Sequence, residues 1–270
     1  MEHFEKYESY IPFDLTNPRN FIIASLVLLA IVIFRYLLVA GLFWLAFYKN
    51  SSPAIKNRQI YATLPSRKNQ LYEIKWSMYT SILFAVSGVL MGVMWQLGLT
   101  QLYLKFDQFG YWYLPVSLLV ISIVHDFYFY WTHRWLHTPK IFKLFHSVHH
   151  NSITPSPWAS FSFHPVEGLV QALALPVIIL FIPAHPLALL IYLTFMTLSA
   201  VTNHLGFEIL PRGSEQRLGK WIISGVHHGQ HHRYYRYNFG LFYTFFDHLY
   251  STEHPNFAKE YQQVFDKKAP

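Results

Sequence analysis

From Phe21 to Tyr48 the chain runs almost unbroken through apolar side chains, and the pattern returns at Trp76–Leu104 and from Tyr111 to about Trp131. Each run matches or exceeds the roughly 20 residues that a helix needs to cross the hydrocarbon core of a bilayer. A fourth apolar tract, Leu169–Val201, is broken by IPAHP at Ile182–Pro186. Its halves are each short for a full crossing, which predicts a tight helical hairpin that barely spans or re-enters the bilayer. Arg35 sits in the middle of the first run. A charge there is costly against lipid, so Arg35 is expected to face the bundle or a polar cavity. The stretches NSITPSPW (Asn151–Trp158) and PRGSEQ (Pro211–Gln216) read as turns within one unit, and no domain-sized repeat or linker interrupts the pattern. The expected fold is all-α: a multi-pass integral membrane helical bundle, with residues 1–110 forming an N-terminal segment and the first two spans and residues 111–270 the remainder of a single structural unit.

Composition supports this reading. At 53% hydrophobic and 13% charged residues the chain is too apolar for an ordinary soluble enzyme. The opening MEHFEKYESYIPFDL is acidic and aromatic rather than basic then apolar, so no cleavable signal peptide is expected and the first span is retained. Cysteine is absent. That excludes disulfides, thiol redox chemistry and cysteine-ligated zinc or iron–sulfur sites, so any metal must be held by nitrogen and oxygen. The formal net charge of +7 does not point to nucleic acid, because its distribution is that of a membrane protein. Lys49, Lys56, Arg58, Arg67, Lys68 and Lys75 crowd the link between the first two spans, whereas the next link has only Lys105 beside Asp107. The positive-inside rule places the first link in the cytoplasm. By alternation the third span returns there just where HRWLH begins, and the tail from Leu205 to Pro270 follows. Every histidine cluster then lies on the cytoplasmic face.

Fifteen of the sixteen histidines lie between His125 and His254. In HRWLH, His133 and His137 are i and i+4, one turn apart on a shared helical face, and can chelate one ion. HSVHH sets His146 with His149 and His150 at i+3 and i+4, and HGQHH repeats the spacing with His228, His231 and His232. These eight imidazoles exceed the needs of one metal and suit two ions side by side, with iron, zinc, copper and nickel all open on ligand type; His164 or His204 could extend the set. A lone histidine is more often a hydrogen-bonded structural residue, and His3, His185 and His254 are read that way. His125, His227 and His248 stay open between ligand, support and structure. A ligating imidazole usually gives its other N–H to a carboxylate or carbonyl. Asp126 and Asp247 are the favoured carboxylates for that role, with Glu167 and Glu208 evenly balanced.

In order and spacing, HDFYFYWTHRWLH, HSVHH, FHPVEG and HHGQHH…NFG…FFDHLYST resemble the fatty acid hydroxylase and sterol desaturase superfamily of integral-membrane diiron oxygenases. The resemblance spans roughly His125–Thr252, and TPSPWASFSFHPVEGLVQAL (Thr154–Leu173) is most similar to sterol C-5 desaturases. It implies that His133, His137, His146, His149, His150, His228, His231 and His232 ligate two iron ions. It adds His204, in TNHLGFE, as a ligand and His164 as a site residue, and leaves Asp126, Asp247, His125 and His227 as catalytic candidates around the metals. Residues 1–110 correspond to the family only as unspecific spans, and nothing corresponds to the fused b-type cytochrome of some members.

The activity so implied is hydroxylation or desaturation of an unactivated C–H bond of a lipid, sterol-like or fatty acyl, with O₂ as co-substrate. The chain has no Gly-rich dinucleotide motif, haem-attachment motif or cysteine cluster, so electrons are expected from a separate reductase with a cytochrome or ferredoxin. A metal-ion transporter is the rival class. Its ligands would belong near the bilayer midplane, whereas these clusters flank the ends of the spans. A bis-histidine haem protein would use two of the imidazoles and leave the rest unexplained. The ending KKAP matches dilysine retrieval signals, and both the endoplasmic reticulum and a bacterial inner membrane are compatible with the chain.

Overall fold

The computed structural model describes residues 13–266; His3 and the KKAP ending lie outside them. Regular structure among the described residues is helical throughout. Helix α1 (Pro18–Tyr48) starts where Asn17 accepts the Arg19 N–H and Pro18 supplies a preset φ. Helix α2 spans Arg67–Gln96 rather than Trp76–Leu104, because Ser66 caps it by accepting the Asn69 N–H and Gly98, at φ 71°, ends it. Helix α3 (Tyr113–Leu136) leads into the histidine segment. The hairpin is present as α4 (Pro165–Phe181) and α5 (Pro186–Asn203). His185 secures its turn: Nδ1 accepts the Leu187 N–H and Nε2–H donates to Leu104 O at 3.1 Å. Both nitrogens are spent there, in keeping with a structural role. Three shorter helices follow: α6 (Gly225–Tyr234), α7 (Phe245–Leu249) and α8 (Phe257–Asp266).

Helices α1, α2, α3 and α5 are long and apolar enough to cross a membrane, while α4 is shorter. Their outward faces carry large exposed apolar side chains, such as Ile22, Leu26, Phe34 and Phe181, which water would not tolerate as a continuous surface. Inside lipid that burial drives little, and packing and hydrogen bonds carry the association. Helix α2 lies between α1 and α4, and α3 packs on both arms of the hairpin. Gly168 lets α4 approach α2 closely: a Cβ there would stand 3.1 Å from Leu83 Cδ1. Arg35 is half-buried, its Nε sealed from solvent without a hydrogen-bond partner.

The first two helices also grip the segment behind the histidines. Tyr36 and Ser77 both donate hydroxyl hydrogen bonds to Trp158 O, at 2.8 and 2.9 Å, and Thr80 donates to Phe163 O at 3.2 Å. Glu73, fully buried on α2, accepts from the Ser156 N–H and hydroxyl. The tight helical turn Pro157–Phe161 is thereby fixed against the bundle.

Candidate metal centre

The ends of α3, α5 and α6 and the segment Pro139–His150 converge, and there the imidazoles form two groups. His133, His137, His146, His150 and His231 make one; His149, His204, His228 and His232 make the other. Within each group every ring offers one nitrogen, and those nitrogens lie within 4.8 Å of one another. The groups abut: the His150 and His232 rings, one from each, have centroids 4.7 Å apart.

Helical geometry explains the division. Residues i and i+4 project about 40° apart on an α-helix, whereas i+3 and i+4 diverge by about 100°. In HGQHH, His228 and His232 therefore share one group and His231 turns to the other. HSVHH behaves likewise: His146 and His150 pair, and His149 crosses over. A π-helical turn at Phe142–His146 ends on the first ring of this triplet. Such turns recur at functional sites, where they rotate the side chains that follow. Each group thus draws on three chain segments.

Four of these rings have a fixed tautomer. His133 Nδ1–H donates to Phe239 O (3.0 Å), His149 to Ser162 O (3.2 Å), His204 to Ala200 O (2.7 Å) and His231 to Tyr237 O (2.7 Å). A carbonyl can only accept, so the hydrogen sits on Nδ1 and a neutral ring has a bare Nε2. His149 Nε2 and His204 Nε2 then face each other at 3.3 Å with a lone pair apiece and no proton to share. A cation resolves that repulsion; protonation is opposed by the surroundings. Burial holds His204 down to about 4, and burial with imidazole neighbours pushes His137, His146, His149, His150, His228, His231 and His232 far below the usual histidine value. Buried, neutral, convergent nitrogens form a donor set fit for divalent transition metals.

A carboxylate lies beside a fifth ring, at contact distance without the alignment of a hydrogen bond. Glu167 Oε1, at the start of α4, is 2.9 Å from His146 Nδ1, with both groups buried. Asp126 and Asp247, favoured on sequence for this role, do something else. Asp126 Oδ1 accepts the N–H groups of Leu241, Phe242 and Tyr243, and Asp247 accepts those of Phe239 and Gly240 and the Thr252 hydroxyl. They hold the NFG loop, whose Phe239 carbonyl faces His133. Asn238 helps the loop turn, taking the left-handed φ of 57° that asparagine tolerates and donating to His227 O. Glu208 accepts from Leu210 and Val226 N–H at the start of α6 and meets no ring.

The remaining candidates lie outside both groups. His164 caps α4, accepting the Val166 N–H, and so positions the turn that bears Glu167. His227 completes a capping box with Ser224 and reaches Glu253 Oε1, which also meets His248 Nε2 at 3.0 Å. His254 stacks on Tyr234. His125 Nδ1 shares a 2.7 Å hydrogen bond with the Tyr192 hydroxyl. Glu73 and Tyr192 escaped the sequence reading. A carboxylate beside an apolar run was the available signal for Glu73; Tyr192 had none.

Beside both groups is a cavity of about 60 Å³. Its phenylalanines Phe129 and Phe163 rest on the His133 and His149 rings, at 4.8 and 5.0 Å between centroids. Across the α3–α4 seam a larger apolar groove of about 490 Å³ faces outward, lined by residues such as Phe127, Trp131 and Phe181. Tyr128, which lines that groove, closes the seam by donating its hydroxyl to Val170 O at 2.7 Å.

Comparison with known proteins follows this geometry. The fatty acid hydroxylase family model matches residues 118–252. Delta(7)-sterol 5(6)-desaturase ERG3B of Gibberella zeae is 31% identical over 155 residues, covering 57% of this chain and 47% of that protein. The Delta(7)-sterol 5(6)-desaturase of Eremothecium gossypii is 33% identical over 186 residues, 67% of this chain and 51% of that one. Delta(7)-sterol 5(6)-desaturase erg3B of Aspergillus fumigatus is 37% identical over 160 residues, 58% of this chain and 43% of that protein. The chain spans about half the length of these relatives, and no solved structure matches it. With half its residues matched by the family model, and with the histidine segments inside that match, the chain belongs to the fatty acid hydroxylase and sterol desaturase family.

Proposed function

We propose that the chain is a membrane-bound oxidoreductase that hydroxylates or desaturates an unactivated C–H position of a lipid, using O₂ and electrons from a separate donor. The observation that carries the reading is the convergence of two groups of neutral imidazoles on one side of an apolar cavity. His133, His137, His146, His150 and His231 would hold one iron ion, and His149, His204, His228 and His232 the other. When bound, the pair supplies the activation of O₂ and the oxidising power that a C–H bond demands. The chain's own part is positional. Carbonyls of Phe239, Ser162, Ala200 and Tyr237 orient four rings, Glu167 a fifth, and the phenylalanine-lined cavity excludes water while it holds the substrate's carbon.

The sterol substrates named for the relatives make a sterol-like lipid the first to test. Their fungal sources favour the endoplasmic reticulum, and they lend no support to the bacterial inner membrane. A reductase with a cytochrome or ferredoxin would dock on the basic face that the charge asymmetry assigns to the cytoplasm. The test uses the full chain in nanodiscs, loaded with iron and given a Δ7-sterol, O₂ and a reductase with its carrier. Oxidised lipid should accumulate, and NADPH without the carrier system should not sustain it. Product from zinc-loaded protein, or none from iron-loaded protein with any lipid, would refute the reading.

A further inference from the structure

Away from the imidazoles, where α1 ends and α2 begins, lies a cavity of about 450 Å³. Its apolar lining is Trp44, Leu71, Ile74 and Trp158, and its cations are Lys49 and Arg67, both exposed. The amide of Gln70, which also lines it, is spent within the fold: Oε1 accepts from Trp44 Nε1–H at 2.9 Å, and Nε2–H donates to Pro65 O at 3.0 Å. No aspartate or glutamate lines the cavity, and neither cation is ion-paired among the described residues. The site thus has a surplus of positive charge that an anion would offset. Its depth is that of lipid headgroups. Trp44 lies four residues before the end of α1, and Ile74 lies two turns into α2, so the cavity is within about 10 Å of the helix ends.

We infer that this cavity binds an anionic phospholipid, with the headgroup between Lys49 and Arg67 and the acyl chains along the outward faces of α1 and α2. Each cation stands at the head of an apolar stripe. Leu38, Leu42 and Leu45 precede Lys49 by eleven, seven and four residues, the spacing of one helical face, and all three are exposed. Leu71 and Ile74 follow Arg67 by four and seven residues, and both line the cavity. A free anion would meet the cations and leave these stripes bare, whereas a lipid engages both. The charge of the lipid follows from Lys49. Its Nζ lies 5.2 Å from the centre of the Trp44 ring, the place that a choline would take, so a zwitterionic headgroup would have to displace it. An acidic headgroup leaves that contact in place and adds a second negative group beside the phosphate.

The test places the full chain in nanodiscs of dioleoylphosphatidylcholine with increasing dioleoylphosphatidylserine and counts the lipids retained by native mass spectrometry. Wild type should keep one phosphatidylserine in preference to phosphatidylcholine by about tenfold or more. Lys49→Gln and Arg67→Gln should each cut that preference about fivefold, and the double variant should bring the two lipids nearly level. Lys56→Gln with Lys68→Gln removes the same charge from the same link but outside the cavity, and should keep the wild-type preference. Millimolar inorganic phosphate should not displace the lipid. No preference in wild type, or an equal loss in both double variants, would mean that only diffuse charge attracts the lipid. Displacement by phosphate would mean a bare anion site. The measurement needs neither metal nor turnover, so its outcome is independent of the oxygenase reading.

Discussion

Glu167→Gln isolates one contact of the proposed centre. Glu167 is 2% exposed, and its Oε1 stands 2.9 Å from His146 Nδ1. That ring's Nε2 is 3.0 Å from His137 Nε2 and 3.1 Å from His150 Nε2, so it points at the middle of the five-ring group. Glutamine keeps the shape and removes the charge. Losing a carboxylate behind a ligating histidine typically costs 10–100-fold in metal affinity. Because four rings of that group are untouched, the lower end is expected, about tenfold or roughly 1.4 kcal/mol. The four-ring group has no contact with Glu167 and should keep its ion. A chelator titration of metal per protein should therefore become two-step, with about half of the metal released at roughly tenfold lower chelator strength. Glu208→Gln is the control, since Glu208 binds backbone N–H groups of Leu210 and Val226 and the Ser224 hydroxyl rather than an imidazole. It should lower the melting temperature without splitting the titration. A Glu167→Gln profile that overlays wild type, or an identical profile from Glu208→Gln, would refute the assignment of Glu167 to His146.

Three further outcomes are expected. His149→Ala and His150→Ala should each abolish product formation and lower metal content, although they remove rings from different groups, whereas His254→Ala should retain its metal and His185→Ala should lose about 1 kcal/mol of stability through its helix cap while retaining metal as well. Asp126→Ala strips one oxygen from three backbone N–H groups and should cost about 2 kcal/mol or more in urea unfolding, with metal lost only as the protein unfolds; metal loss from the folded variant would show a direct role. Metal-free protein should lose stability as pH falls below the usual 6.5, because unfolded imidazoles take up protons there while the buried ones do not until about 4, the value to which His204 is held. Melting temperatures at pH 7.5 and pH 5 would check this, and equal values would contradict it.

How much could be read from the chain depends on the scale of the physics. Lipid forces long apolar helices, so the spans and the hairpin were visible in hydropathy. The start of α2 was not, because Arg67–Lys75 is polar enough to pass for a link and only the Ser66 cap betrays a helix. Glu73 was lost with it, though it is fully buried and braces Ser156. Neighbourhood along the chain misled the choice of carboxylates. Asp126 and Asp247 adjoin histidines in sequence, yet on a helix adjacent residues point about 100° apart, and both turn to backbone amides instead. Glu167 follows His146 by a loop and a helix start, a relation that no local spacing encodes.

The imidazoles themselves were legible as a set because helical spacing is a local signal, but their division into two groups is not a property of any one motif. HSVHH and HGQHH each look like a single chelating face, and each is split by the angle between i+3 and i+4. The split has a consequence for assembly. His149 and His150 are adjacent, so the segment that carries them cannot shift without disturbing both groups, and the same holds for His231 and His232 on α6. Neither group reaches its full ring count from one segment: the five-ring group needs α3, the 139–150 segment and α6, and the four-ring group needs that segment, the end of α5 and α6. Metal binding is therefore coupled to the docking of all four pieces, and through Tyr36, Ser77 and Glu73 to the first two helices as well. A metal-free chain should accordingly be loosest where these pieces meet, with fastest amide exchange in Pro139–Asn151 and α6, and the added metal should protect both segments together. Protection of one without the other would mean that the two groups fill independently and that the shared segments do not couple them.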